Sequence, residues 1–378
     1  MKRKVVIVQR IIPHYRIPFY DALSVLLASE GVELKVVYGQ EKQGSVPVSI
    51  DVERQWAVKI TNIYFFLFGK EFVWQPVFQY LNDADLVVVE QANRLLVNYI
   101  LLSFRKFSKV KFAFWGHGKN YQSENHSGFF EKWKRFYSIS ADWWFTYTDG
   151  GKTLVKGMGF DSSHITVVQN SIDTTALLKA KKNVSLQQAQ ELKAKLNIQS
   201  ENVAIFCGGL YSDKKISFLI EACLMIKLKV PDFQMIFIGD GPDKCIVKEF
   251  SNNNDWAHYV GALTGNDRVI FFTISKLLLM PGLVGLAVLD SFALGVPMVT
   301  TNIPIHSPEF DYLSHNANGV VTDYNVVEYA STVAEMLGDK HLYSSLLEGC
   351  MKSKDEYTVE NMAVNFSIGV FKVLSLNE

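Results

Sequence analysis

Residues 279–301 read LMPGLVGLAVLDSFALGVPMVTT. The apolar run KLLLMP (276–281) stops at Pro281 and Gly282, a glycine-spaced segment with a single acid, Asp290, follows, and PMVTT (297–301) is apolar again. Two short apolar runs separated by a helix-length segment predict a strand, a helix and a second strand. Strands apolar on both faces are those of a parallel sheet covered by helices on either side. The same alternation extends in both directions. VVIV (5–8), LKVVY (34–38), LVVVE (86–90), KFAFW (111–115), WWFTY (143–147) and ITVV (165–168) form a first series. VAIFC (203–207), QMIFIG (234–239), HYVG (258–261), KLLLMP, PMVTT and GVVT (319–322) form a second. The expected fold is α/β, two doubly wound Rossmann-like domains.

The boundary is placed after NSIDT (170–174), where the chain turns polar and Lys-rich until Ser185 and Gln188, spaced as a capping box, open a helix toward the second sheet. This gives an N-terminal domain 1–172, a C-terminal domain 173–357, and a final amphipathic helix over 358–378 expected to pack back across the junction.

With 378 residues, 48% apolar and 20% charged, the chain is long enough for two cores. Net charge is zero, but residues 1–170 carry +6 and the remainder −6. Cys207, Cys223, Cys245 and Cys350 contain no C-x-x-C pair, which argues for reduced thiols in a cytoplasmic protein. The apolar VVIV after KRK is too short for a signal sequence, and nothing later reaches the ~18 apolar residues of a spanning helix.

In open parallel sheets ligands bind beyond the carboxyl ends of the strands, so the residues after each strand are weighted most. QRIIPHYRIPFY after the first strand has no glycine, which excludes the dinucleotide turn of a dehydrogenase there. Asp83-Ala84-Asp85 has the form of a metal-holding D-x-D pair but precedes its strand, so it reads as a solvated turn. In the second series GGLYSDKK, GDGP, GALTGND and PGLVG each follow a strand. Glycines admit close backbone approach and helix-start amides favour anions, so the four loops outline a phosphate cleft. Gly282 and Gly285 are expected to leave the amides of Val284, Gly285 and Leu286 open to a diphosphate. Asp290 then either complements the helix dipole or accepts hydrogen bonds from ribose hydroxyls.

GGLYSDKKISFLIEA (208–222), PDFQMIFIGDGP (231–242), YVGAL (259–263), MPGLVGLAVLDSFALGVPMVTT (280–301) and NANGVV (316–321) together resemble the family 4 glycosyltransferases. WGHG (115–118) and QNSIDT (169–174) extend the likeness more loosely into the first half. The resemblance implies retaining enzymes of GT-B architecture, with two Rossmann-like domains facing a central cleft. It also implies a nucleotide-diphosphate-sugar donor as co-substrate, and neither metal nor cofactor. Carried over by position, Lys214 holds the donor diphosphate and is catalytic with His117, near the reaction centre. Gly209, Gly241, Gly261, Ala262, Gly282, Val284, Gly285, Leu286 and Asp290 line the donor site, with Gly261 and Ala262 at the nucleobase and Asp290 at the second Glu of the family's E-x7-E pair. The chain departs from the family at Gly209, where an Arg is usual, and at Gly282, which replaces the first Glu of that pair. With LMPGLVG, Asp290 and HSPEF (306–310), these departures read as a variant group with an altered sugar pocket.

The first domain is expected to present the acceptor through His14, Arg16, Glu90, Asn93 and His117, with Thr148 and Asp149 nearby. Residues 94–156 carry 11 Lys and Arg against 4 Asp and Glu, interleaved with aromatics as in GFFEKWKRFY (128–137). That pattern suits an anionic membrane surface and a lipid-linked acceptor, with IYFFLFGKEFVW (63–74) contributing. A solvated basic helix packed on the core is the alternative reading of this stretch; the expected placement is cytoplasmic, and on the membrane reading peripheral at the inner face of the plasma membrane. No nucleic-acid recognition motif accompanies the charge. The competing reading is a non-catalytic nucleotide- or glycan-binding scaffold, suggested by Gly209 and Gly282.

Overall fold

The computed structural model describes residues 3–43, 51–67, 69–104, 108–118 and 136–376. The chain divides into two compact units, Met1–Ile172 with Val359–Glu378, and Asp173–Thr358.

In the first unit the strands are β1 (Arg3–Gln9), β2 (Val32–Tyr38), β3 (Ala57–Lys59), β4 (Ile63–Leu67), β5 (Lys70–Trp74), β6 (Leu86–Glu90), β7 (Lys111–Gly116), β8 (Trp143–Thr146) and β9 (Ile165–Val167). Seven make a parallel sheet in the order β3-β2-β1-β6-β7-β8-β9, while β4 and β5 pair antiparallel as a separate hairpin. Because side chains alternate across a strand, the apolar runs feed two cores. Val5, Ile7, Val88, Trp115 and Phe145 enter one, packed against the helices Ile17–Ser29 and Val359–Ser375. Val6, Val8, Val87, Val89, Phe114 and Trp144 enter the other, with Val97, Leu101 and Val155 of the helices Val97–Phe104 and Asp149–Gly157.

The terminal helix Val359–Ser375 is part of this first unit. Phe366 stacks on Phe145 at 4.1 Å between ring centroids and meets Trp115 edge-on at 5.1 Å. A Cβ at Gly369 would lie 2.5 Å from Phe145, so glycine there lets the helix settle onto the sheet.

The second unit holds β10 (Val203–Cys207), β11 (Gln234–Ile238), β12 (Ala257–Gly261), β13 (Leu277–Leu279), β14 (Met298–Thr301) and β15 (Gly319–Thr322), all parallel, in the order β12-β11-β10-β13-β14-β15. The Ser185–Gln188 capping box opens the helix Leu186–Lys195, with both reciprocal bonds formed. The helix Ala287–Leu294 ends at Gly295, whose φ of +59° is left-handed, and Lys181 Nζ donates to the Leu294 carbonyl at that negative end.

Three features differ from the sequence reading or add to it. The stretch 63–74 is a β-hairpin whose strands are joined through Gly69 at φ +72°. Asp83 and Asp85 serve Lys4 at the amino end of the sheet, Asp85 Oδ2 accepting from the Lys4 amide at 2.7 Å and Asp83 pairing with its ammonium. All four cysteines are free thiols. Of GFFEKWKRFY, residues 128–135 lie outside the described residues.

Candidate functional site

Strand order reverses in the second unit between β10 and β13, which makes this the point where an open parallel sheet leaves a crevice at its carboxyl edge. The loops after those two strands meet there. The Leu283 amide donates to the Asp213 carbonyl at 2.9 Å, and Lys214 Nζ donates to the Leu283 carbonyl. Gly282 is buried between them. A Cβ at this position would fall 2.2 Å from the Asp213 carbonyl oxygen and 2.4 Å from the Lys214 carbonyl carbon. These are backbone atoms, so the loop is closed too tightly at this position for any side chain.

Lys214 sits at the end of a short 3-10 turn, 6% exposed, ahead of Lys215 in the left-handed conformation and the helix Ile216–Lys229. Burial pushes its ammonium down to about 8, against the opposing pull of Cys207 and Asp213. The position a Cβ would take at Gly285 is 3.9 Å from Lys214 Nζ. Gly285 has φ +60°, and the amides of Gly285 and Leu286 have no acceptor among the described residues. A buried ammonium thus stands beside a loop that carries two unfilled amide donors.

Two expected donors and acceptors are engaged within the protein. The Val284 amide donates to His306 Nδ1 at 3.3 Å, and His306 Nε2 lies 2.6 Å from the Thr301 carbonyl, which fixes the neutral tautomer with its proton on Nε2. Burial lowers the His306 pKa, partly opposed by the Thr301 bond and reinforced by Lys214. Asp290, 3% exposed, faces Arg268 across a bidentate contact, Nη2 to Oδ1 at 2.7 Å and Nη1 to Oδ2. Burial raises the Asp290 carboxyl and Arg268 works against that, while burial disfavours the guanidinium charge and Asp290 with Cys207 more than restores it. A carboxylate facing two N–H donors in this fork is ionised, so the two form an ion pair. Arg268 Nη1 also lies 3.9 Å from Cys207 Sγ, whose thiol burial pushes up to about 11. Any ribose contact from Asp290 has to share its oxygens with Arg268.

Other glycines shape the crevice wall. A Cβ at Gly241 would lie 2.3 Å from the Leu210 carbonyl oxygen, so the GDGP loop rests directly on the loop after β10. At Gly209 the Tyr211 ring occupies the space beside the backbone, 2.6 Å from where a Cβ would stand. Gly261, at φ +90°, has open space on its Cβ side, and Ala262 beyond it is exposed.

The first unit gathers its own residues at the carboxyl edge of β1, β6, β7 and β8. Arg16 is 7% exposed, its guanidinium 5.4, 5.3 and 5.6 Å from the ring centroids of Tyr15, Trp115 and Tyr147, with Nη1 directed at Met362 Sδ. His117 lies edge-on to Tyr147 at 4.6 Å. Glu90 is half-buried and accepts from the Arg10 amide at 3.4 Å; the Asn93 carbonyl accepts from Tyr99. His14 is exposed beside Tyr15. Arg268 and His306 were not among the residues the sequence singled out for the site. Both act through partners 22 residues away in the chain, a spacing that no helical or strand period marks.

Two Rossmann-like units define the GT-B class of fold, and solved structures agree over the full chain. A glycosyltransferase from Rickettsia africae superposes with TM-score 0.71 at 15% identity, each chain covered completely. Anabaena Alr3699/HepE in complex with UDP gives TM-score 0.69 at 13% identity, covering 98% of this chain and 100% of that one. Residues 188–349, within the second unit, match the family described as Glycosyl transferases group 1. The chain is 25% identical over 168 residues to alpha-monoglucosyldiacylglycerol synthase of Acholeplasma laidlawii, 42% of this chain and 41% of that protein. It is 24% identical over 226 residues to N-acetyl-alpha-D-glucosaminyl L-malate synthase of Bacillus anthracis, 56% of this chain and 54% of that one. The matches thus span about half the length of these relatives. No helix among the described residues is long and apolar enough to cross a membrane.

Proposed function

We propose that the protein is a retaining glycosyltransferase that moves a sugar from a nucleotide-diphosphate-sugar donor to a lipid-linked glycan acceptor, in cell-surface polysaccharide or glycolipid synthesis at the cytoplasmic face of a membrane. The observation that carries this reading is the buried Lys214 ammonium beside the loop with the unfilled amides of Gly285 and Leu286, at the switch point of the second sheet. That set of donors matches a diphosphate, which gathers charge as the glycosidic bond breaks. The complex of Anabaena Alr3699/HepE with UDP makes a uridine nucleotide the first donor to try.

In the proposed reaction the bond from the anomeric carbon to the diphosphate oxygen breaks, the acceptor oxygen bonds to the same face of that carbon, and the acceptor proton passes to the departing phosphate oxygen. Lys214, in contact with the leaving group, exchanges its bond to the Leu283 carbonyl for one to phosphate. Arg268 fixes Asp290 through their bidentate contact. His306 is a positioning residue that holds the loop through Val284. On the acceptor side His117 is the residue assigned to the reaction centre, with His14, Arg16, Glu90 and Asn93 around the acceptor.

The test is turnover over a panel of nucleotide sugars with lipid-linked and free glycan acceptors, followed by the anomeric configuration of the product. Retention of configuration supports the reading. Nucleotide binding with neither transfer nor donor hydrolysis on any member would instead assign the non-catalytic scaffold.

A further inference from the structure

The β4–β5 hairpin has an apolar face that the proposed chemistry leaves unused. Its register sets Ile63 opposite Trp74, Phe65 opposite Phe72 and Leu67 opposite Lys70, and side-chain alternation puts these six on one face. Ile63 is 53% and Leu67 50% exposed, and Phe66 on the reverse face is 59% exposed. The root of the hairpin is firm. Val73 is fully buried, its amide donates to the Arg94 carbonyl at 2.9 Å, and Gln75 Nε2 donates to the Gln9 carbonyl at 3.0 Å. These anchors are the carboxyl end of β1 and the loop after β6, where strand order reverses in the first sheet, so the hairpin rises from the edge assigned to the acceptor.

Charge surrounds it on one sign. Lys42 Nζ lies 4.2 Å from the Phe66 ring centroid and 3.8 Å from Glu71; Arg94 lies 3.7 Å from Glu71; Arg10 Nη1 reaches Tyr64 at 3.5 Å; and Lys70 stands at the tip. Against these four cations the hairpin itself has one acid, Glu71. Exposed aliphatic and aromatic side chains ringed by cations suit a bilayer with anionic headgroups, with hydrocarbon below and phosphate at the level of the cations. A second copy of the hairpin would bring the same four cations against these four, which disfavours self-association.

We propose that the β4–β5 hairpin is a membrane-docking element that inserts the face of Ile63 and Leu67 into an anionic bilayer and sets Lys42, Lys70 and Arg94 against its phosphates. The proposal deepens the reading of a lipid-linked acceptor and rests on it for its purpose, but vesicle binding is measured without donor or acceptor. Absence of turnover therefore leaves this result standing, and absence of vesicle binding leaves donor chemistry standing.

The test is sedimentation of the full chain with phosphatidylcholine vesicles and with vesicles containing phosphatidylglycerol, at low and high salt. The expected result is binding to the anionic vesicles alone, weakened by salt, and reduced roughly tenfold or more by Ile63→Ser with Leu67→Ser and by Lys42→Gln with Lys70→Gln. All four side chains are at the surface, and circular dichroism with the thermal unfolding midpoint reports that each variant is folded; Leu67→Ser alone serves if the double variant is not. Equal binding of wild type and the serine variants would overturn the proposal, as would no binding of the wild type at low salt. A dimer in sedimentation velocity that the serine variants dissolve would assign the face to a second copy instead.

Discussion

Arg268 and Asp290 face each other as a closed fork in the second unit, with 19% of the arginine side chain and 5% of the aspartate side chain exposed. The pair ties the loop after β12 to the helix that follows the Gly282–Gly285 loop, and so couples the two walls of the crevice.

Breaking it from one side leaves a buried, unpaired charge. Asp290→Ala is expected to cost about 3–5 kcal/mol, whereas replacing both residues with apolar ones of similar size costs much less. Urea unfolding of the single and double variants checks this through a double-mutant cycle. Additive losses would show that the fork contributes no coupling.

The same pair predicts a pH dependence. Without the guanidinium, burial holds the Asp290 carboxyl further above its unfolded value, so the folded state binds the extra proton. The stability of Arg268→Ala relative to wild type should therefore fall as pH rises from the ordinary carboxylate range toward neutrality. Unfolding midpoints at pH 5 and pH 7.5 read the difference.

Lys214 gives a second titration. Burial brings its ammonium to about 8, so the unliganded protein loses the charge as pH rises through that value. UDP affinity should decline above it, and binding near it should take up a proton, visible by calorimetry in buffers of different ionisation enthalpy. Lys214→Ala is expected to lower kcat/KM on the order of 100-fold, the scale of one lost charge-stabilising donor.

Gly282→Ala places a methyl 2.2 Å from the Asp213 carbonyl oxygen and must separate the two loops. A loss of UDP affinity of roughly tenfold or more is expected. Gly338→Ala, with nothing within 4 Å of its Cβ, serves as the neutral control in the same titration.

Much of this arrangement could be read from residue order. The twelve sheet strands foreseen from apolar runs are present, because strands buried on both faces leave a continuous signal, and the Ser185 cap stands where its spacing placed it. Edge strand β3 escaped notice because three residues, two half-buried and one exposed, carry no period. The hairpin escaped because aromatic density hid a turn marked by Gly69 alone. The sequence suggests that the Gly282 loop lets its backbone approach a ligand, whereas the backbone packed against Gly282 is that of the Lys214 loop. Nor could the sequence show that Val284 is engaged by His306, or that Asp290 is engaged by Arg268, since each pairing depends on how separate loops fold together.

The central claim is that the second unit grips a nucleoside diphosphate with main-chain amides and one ammonium. A crystal structure with UDP bound tests it most directly. The diphosphate oxygens should lie within hydrogen-bond distance of the Gly285 and Leu286 amides and of Lys214 Nζ, now drawn off the Leu283 carbonyl. UDP bound elsewhere, with Lys214 still on that carbonyl, would contradict the account.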